Sequence, residues 1–132
     1  MAMDPVVHFE MPARDKNRMR KFYESSFGWK TEQLGKEMGE YVIVTTTETD
    51  KDRMVKKPGN INGGFYQRSD DPLTHAPSFV IQVENMEKSM EKIKAAGGKI
   101  NRKPEEIPGV GIFTSFTDTE GNVASIMQPR RK

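Results

Sequence analysis

Two residues near the N-terminus offer the clearest opportunity for chemistry. His8 and Glu10 stand two apart in the run Val6 to Met11, whose alternation sorts a β-strand into an apolar face of Val7, Phe9 and Met11 and a second face of Val6, His8 and Glu10. If the apolar face packs beneath a helix, both polar side chains point into a concave cleft. A histidine beside a carboxylate makes a candidate general base, because the carboxylate raises the imidazole pKa and fixes its tautomer. The plainer reading is a hydrogen-bonded histidine on a wet cavity wall. Gln82 has a similar standing: it can orient a polar ligand, or it can simply be a polar residue on a sheet surface. The chain has no cysteine, which excludes disulfides, thiolate metal sites and cysteine nucleophiles.

The elements that must position these residues follow from periodicity. After the first strand, Met19, Phe22, Tyr23 and Phe27 form an apolar stripe at helical spacing, with Asp15 as N-cap and Gly28 as stop signal. Residues 29–34 and 41–46 read as strands, with a turn at 35–39. The charged stretch 47–60 reads as a surface loop, and 63–68 as a short strand whose glycine pair leaves room for close backbone approach. The order then repeats. Residues 78–83 alternate with Phe79, Ile81 and Val83 opposed to Val80 and Gln82, and Asn85 caps a helix that turns Met86, Met90 and Ile93 inward before Gly97 and Gly98. Strands at 99–102, 111–117 and 123–127 follow, separated by turn regions at 104–109 and 118–122.

A shift of 72 residues lays Val7, Phe9 and Met11 onto Phe79, Ile81 and Val83, and a shift of 71 lays Met19 and Phe22 onto Met90 and Ile93. Gly59-Asn60-Ile61 and Gly121-Asn122-Val123 each introduce the last strand of a half. The expected fold class is α+β, with two tandem βαβββ modules forming a curved mixed sheet around a cleft. Its 132 residues suit a single domain, with module 1 at about 5–68, a linker at about 69–77 that contains the second histidine, His75, and module 2 at about 78–128.

His8-Phe9-Glu10, Phe22-Tyr23 before Phe27-Gly28-Trp29, the segment 95–99 (Ala-Ala-Gly-Gly-Lys), the segment 107–111 (Ile-Pro-Gly-Val-Gly) and the turn 118–122 (Asp-Thr-Glu-Gly-Asn) together resemble the vicinal oxygen chelate superfamily. That group contains glyoxalase I, extradiol dioxygenases and bleomycin-resistance proteins, and the match looks closest to bacterial single-domain proteins related to lactoylglutathione lyase. The resemblance implies a divalent metal held by one residue from the first and last strand of each module. His8 occupies the first such position. The repeat offset points to Val80, or its neighbour Phe79, as the second-module counterpart; aligning the glycine turns points to Ser125, and to Gly63 or Phe65 in the first module. His8 is then the only clear ligand. A catalytic zinc-like site needs three protein ligands and non-haem iron needs two histidines and a carboxylate, so a divalent metal is disfavoured as cofactor. A metal route would require an unusual set such as His8, Glu10, Gln67 and Gln82.

The residues expected to line the cleft are His8, Glu10, Phe65, Gln67, Val80, Gln82, Ser125 and Met127, with His8 and Glu10 the candidates for proton transfer. Trp29 is read as packing rather than stacking on a ligand. Gly109-Val110-Gly111 leads into a strand and so lacks the helix dipole of a phosphate loop. Two functions follow: a protein that binds a small molecule in its cleft without catalysis, as the resistance members do, or a lyase or isomerase acting on a small oxygenated metabolite. A dimeric ferredoxin-like α+β barrel would explain one half but not the longer repeat.

Lysine and arginine total 21 against 19 aspartate and glutamate, with the signs interleaved, so no basic stripe exists to engage nucleic acid. No apolar run reaches membrane-spanning length and residues 1–5 lack a signal-peptide pattern, so a cytoplasmic, soluble protein is expected. The closing Pro129-Arg130-Arg131-Lys132 reads as a frayed terminus. The resemblance implies a homodimer with a small-molecule ligand.

Overall fold

The structure is a computed structural model that describes residues 3–130; Arg131 and Lys132 of the basic terminus lie outside that range. The chain divides into two compact units, one of residues 8–77 and one of residues 3–7 together with 78–130.

The first unit is built on β1 (Val6–Ala13), α1 (Lys16–Phe27), β2 (Lys30–Gln33), β3 (Val42–Thr45) and β4 (Asn62–Gln67). Its strands run in the order β2-β3-β4-β1, with β4 parallel to β1 and the other pairs antiparallel. Local chemistry sets the helix ends. The Asp15 carboxylate accepts from the Arg18 amide at 3.0 Å, and Gly28 closes the helix in the left-handed region at φ 70°, its amide donating to the Glu24 carbonyl. Beneath α1, Val42, Val44 and Phe65 are fully buried, and Phe9, Met11, Met19, Tyr23 and Trp29 pack against them. The helix stripe is narrower than its spacing suggests. Met19 and Tyr23 face inward, whereas Phe22 and Phe27 are 57% and 62% exposed and pack on the outer side of Tyr23 as part of an aromatic cluster. Trp29 stacks on Tyr23 with ring centroids 4.7 Å apart, a packing role.

The second unit repeats the plan with β5 (Ser78–Gln82), α2 (Met86–Ala95), β6 (Lys99–Ile100), β7 (Glu105–Ile107), β8 (Gly111–Thr117) and β9 (Val123–Pro129), in the order β5-β9-β8-β6. Again the first and last strands are parallel. Asn85 caps α2 through the Lys88 amide, and Met86, Met90 and Ile93 pack on Val83, Ile126, Ile81, Ile112 and Phe116. The Pro5 carbonyl accepts from the Gln82 amide at 2.9 Å, which ties residues 3–7 to this unit.

The chain is thus α+β, with two βαβββ modules. One element departs from expectation: the turn region 104–109 contains β7, which pairs antiparallel with β8. Glu105 and Glu106 give it no apolar alternation, since its pairing uses backbone groups at a solvated edge. The turn 118–122 is held by Asp118, whose carboxylate accepts from the Glu120 and Asn122 amides at 2.8 and 2.9 Å. Among the described residues no helix is long and apolar enough to cross a membrane.

Candidate functional site

Residues paired across neighbouring strands share a face, so the register of the first unit assigns its side chains. Glu10 pairs with Gly64, and Gly64 with Ile43. Tyr41, two residues before Ile43, joins that row, as does His8, two before Glu10. This face is opposite the one that carries Phe9, Phe65, Val42 and Val44 under α1.

His8, Tyr41 and Glu10 form a continuous hydrogen-bonded line. The Tyr41 hydroxyl donates to Glu10 Oε2 at 3.2 Å and lies 3.2 Å from His8 Nε2. Gly64 makes the arrangement possible: a Cβ there would collide with the Tyr41 hydroxyl, so the phenol lies directly over the glycine backbone. Gly63 does the same on the other face, where the Phe9 ring occupies the space. The glycine pair therefore accommodates two rings rather than a close backbone approach.

Burial controls the electrostatics. It pushes the Glu10 carboxyl up to about 7, against a smaller lowering from the Tyr41 hydrogen bond. It also lowers the His8 pKa and raises that of Tyr41, which the charge of Glu10 raises further. Tyr66 is next along the same face, since it pairs with Pro12. Its hydroxyl donates to the Ala76 carbonyl at 3.1 Å, and burial and then Glu10 raise its pKa.

One phenolic proton cannot serve both neighbours, so the line has two directions. With Glu10 ionised, Tyr41 donates to the carboxylate and accepts from His8 Nε2–H. With Glu10 protonated, the carboxylic acid can donate to Tyr41, which then donates to His8 Nε2, and the imidazole carries its proton on Nδ1. The two directions place the His8 proton on different ring nitrogens. Groups with these properties have the chemistry to orient a polar ligand and to exchange a proton with it near neutral pH.

The other sequence-predicted residues are placed as follows. Phe65 is wholly buried in the core beneath α1, on the face away from His8. Gln67 lies exposed at the end of β4, where its amide donates to the Arg14 and Arg68 carbonyls. Val80, Gln82, Ser125 and Met127 belong to the second unit, where Val80 pairs with Ser125 and Gln82 with Met127 on the sheet face away from α2. Val80 and Ser125 are buried. His75 lies in the connecting segment, its Nε2 2.7 Å from the Ser69 carbonyl. Tyr41 is the member of the site that strand reading alone missed.

The same registers locate the four positions at which the family resemblance puts metal ligands. Val80 pairs with Ser125 in the second unit; in the first, His8 pairs with Asn62, not Gly63 or Phe65. Aligning the glycine turns slips by one residue, and one residue moves a strand position to the opposite face. Asn62 accepts from the Thr46 and Thr47 amides at 2.7 and 3.2 Å, so its oxygen ties β4 to the end of β3. Among the described residues no three histidine, cysteine, aspartate or glutamate side chains come together to hold a metal ion. Taken unit by unit, neither His8 with Asn62 nor Val80 with Ser125 supplies the basic or anionic ligands a divalent metal needs, of which at least three are required.

Residues 6–126 match the model of the Glyoxalase/Bleomycin resistance protein/Dioxygenase superfamily, and the chain belongs to that superfamily. A "Glyoxylase-like domain-containing protein" of Didymella fabae is 29% identical over 124 residues, covering 92% of this chain and 91% of the relative. Among solved structures, Streptomyces coelicolor methylmalonyl-CoA epimerase in complex with 2-nitronate-propionyl-CoA superposes with a TM-score of 0.70 at 12% identity, covering 98% of this chain and all of that one. A superfamily member from Vibrio splendidus 12B01 gives 0.61 at 16% identity, covering 96% and 99%. At these identities the structural likeness establishes the fold.

Proposed function

We propose that the chain binds a small oxygenated metabolite on the His8–Tyr41–Glu10 face and exchanges a proton with it through Glu10. The observation that carries this reading is the hydrogen-bonded line from imidazole through phenol to a carboxyl brought to about 7. A general acid or base works best when its pKa lies near the working pH. In its protonated form Glu10 can donate to a ligand carbonyl or carboxylate; in its ionised form it can remove a proton from a carbon beside a carbonyl. His8 and Tyr41 hold the carboxyl in place; a proton that Glu10 takes from the ligand can pass through the Tyr41 hydroxyl to His8 Nε2, and the reverse transfer reprotonates Glu10. Fold relatives that include an epimerase are compatible with such a proton shift.

A second reading is sequestration without turnover. It is favoured by Val80 and Ser125, which leave the family's metal positions in the second unit without a strong ligand. Both readings go with a homodimer, a proposal that rests on the family resemblance and that light scattering tests.

The experiment is hydrogen–deuterium exchange followed by NMR, with chelator present, on methylmalonyl-CoA and on the hemithioacetal of methylglyoxal and glutathione. Alongside it, a thermal-shift titration with both compounds and bleomycin reports binding. Exchange above background that is lost in Glu10→Gln supports proton transfer. Stabilisation by a compound with no exchange supports sequestration, and neither response from any compound removes both.

A further inference from the structure

The turn that delivers Tyr41 to the site is held by a residue outside it. Residues 35–40 pass through a short 3-10 helix, Lys36–Met38, and close with two consecutive left-handed residues, Gly39 at φ 65° and Glu40 at φ 55°. Among the described residues only Glu40 and Arg53 take a positive φ without being glycine, and a side chain in that conformation is strained. The turn satisfies its own amides. Met38 and Glu40 donate to the Gly35 carbonyl at 3.1 and 3.0 Å, and Gly39 donates to the Lys36 carbonyl at 3.0 Å. The carbonyls of Gly39 and Glu40 are taken by a side chain from another element: Lys16 Nζ, on the first residue of α1, donates to them at 3.2 and 2.9 Å.

Helix chemistry gives Lys16 no reason to stand there. The N-terminal end of a helix carries partial positive charge and favours carboxylates over cations. Yet the first turn of α1 holds Lys16 and Arg18 and no acidic residue. A residue that works against its own element is expected where it serves something else. Here the ammonium joins the carbonyls of the two left-handed residues through charge-assisted hydrogen bonds, and the next residue is Tyr41. The Tyr41 amide donates to the Met38 carbonyl at 3.3 Å and its carbonyl accepts from the Leu34 amide at 2.8 Å, so its backbone is fixed to this same turn. The hydroxyl stands at the far end of the side chain, where a small rotation of the turn moves it most. Its fit over Gly64 is close enough that a Cβ there would collide with it, and the groups of a working site must be held to within about 0.5 Å.

We propose that Lys16 is a positioning residue of the site: by holding the Gly39 and Glu40 carbonyls it sets the Tyr41 hydroxyl between His8 and Glu10. Its value to function rests on the proton-transfer reading above, whereas the placement of the phenol does not.

NMR of the full chain tests this with Lys16→Met, which keeps the aliphatic stem and removes the ammonium, and Lys16→Arg, which keeps a cationic donor. Two signals are followed: the nuclear Overhauser contact between the Tyr41 ring and the Gly64 α-protons, and the titration midpoint of the Glu10 carboxyl. Lys16→Met should lose the contact and raise the midpoint, because the Tyr41 hydrogen bond that lowers it is lost. Lys16→Arg should keep both at their parent values. Lys21→Met, which removes a cation elsewhere on α1, should change neither. Loss of a positive charge can also raise a carboxyl midpoint directly, so Lys16→Met is repeated in the Tyr41→Phe background, where it should shift Glu10 no further. An unchanged Tyr41–Gly64 contact in Lys16→Met would overturn the proposal, as would an equal shift of Glu10 with and without the Tyr41 hydroxyl. A Glu10 that titrates in the ordinary carboxylate range, with a Tyr41–Gly64 contact that depends on Lys16, would remove the proton-transfer reading and keep this one. A raised midpoint indifferent to Lys16 would do the reverse.

Discussion

The Tyr41 hydroxyl lies over the backbone of Gly64, between His8 Nε2 and Glu10 Oε2 at 3.2 Å from each. Three elements meet in that contact: β1 supplies the histidine and the carboxylate, the residue before β3 supplies the phenol, and β4 supplies the gap that receives it. The geometry depends on a missing side chain as much as on those present.

Gly64→Ala should therefore expel Tyr41 from its place. Overpacking of this kind costs about 1–3 kcal/mol, and urea denaturation measures it. The same variant should lose the coupling between the Glu10 titration and the His8 ring signals in NMR. An alanine that is tolerated with the coupling intact would show that the phenol does not need the space.

Tyr41→Phe keeps the ring and removes the hydroxyl. Because that hydroxyl's hydrogen bond lowers the Glu10 pKa while burial raises it, its loss should move the Glu10 midpoint upward. The stability cost should be on the order of 1 kcal/mol, the net worth of a typical hydrogen bond.

The pH dependence of stability has two opposed parts. Glu10 is raised from 4.5 to about 7 on folding, so the folded chain holds its proton more tightly. Its contribution to stability is fully present below about 4.5 and is lost as pH rises to about 7. His8 is lowered from 6.5; its contribution is present above that value and lost as pH falls through the folded-state pKa. Glu10→Gln removes the first part alone. The variant should gain stability relative to the parent at pH 8 compared with pH 5, by about 1–3 kcal/mol once partial solvent access is allowed for. Parallel denaturation curves at the two pH values would contradict this.

Phe65 and Phe22 should respond differently to truncation. Phe65→Ala opens a cavity beneath α1 and should cost about 3–5 kcal/mol. Phe22→Ala acts on a residue 57% exposed and should cost little more than about 0.5 kcal/mol. Thermal denaturation of both variants checks which face of β4 and which side of α1 the core occupies.

Much of this architecture is legible in the chain itself. The alternation of Val6 to Met11 separates His8 and Glu10 from the core, Asp15 and Gly28 delimit α1, the 72-residue repeat points to Val80 as the counterpart of His8, and the glycine turn points to Ser125, with which Val80 pairs. Positions that depend on pairing between distant strands are less legible. Tyr41 joins Glu10 across 31 residues of sequence, and its only local signal is that it shares parity with Ile43 while two glycines stand in β4. Asn62, the register partner of His8, lies one residue before Gly63 and three before Phe65, because a glycine turn marks where a strand begins only approximately, whereas a face requires the exact register. Phe22 and Phe27 follow the helical period, but their exposure is set by what packs against α1, which is a tertiary fact.

The central claim is that Glu10 holds and releases a proton near neutrality within the line to Tyr41 and His8. A carbon-13 NMR titration of the Glu10 side-chain carboxyl tests it most directly. A midpoint of about 7, accompanied by a shift of the His8 ring nitrogens over the same pH range, is the predicted result. A midpoint near the ordinary glutamate value of about 4.3, with His8 titrating independently, would contradict the account.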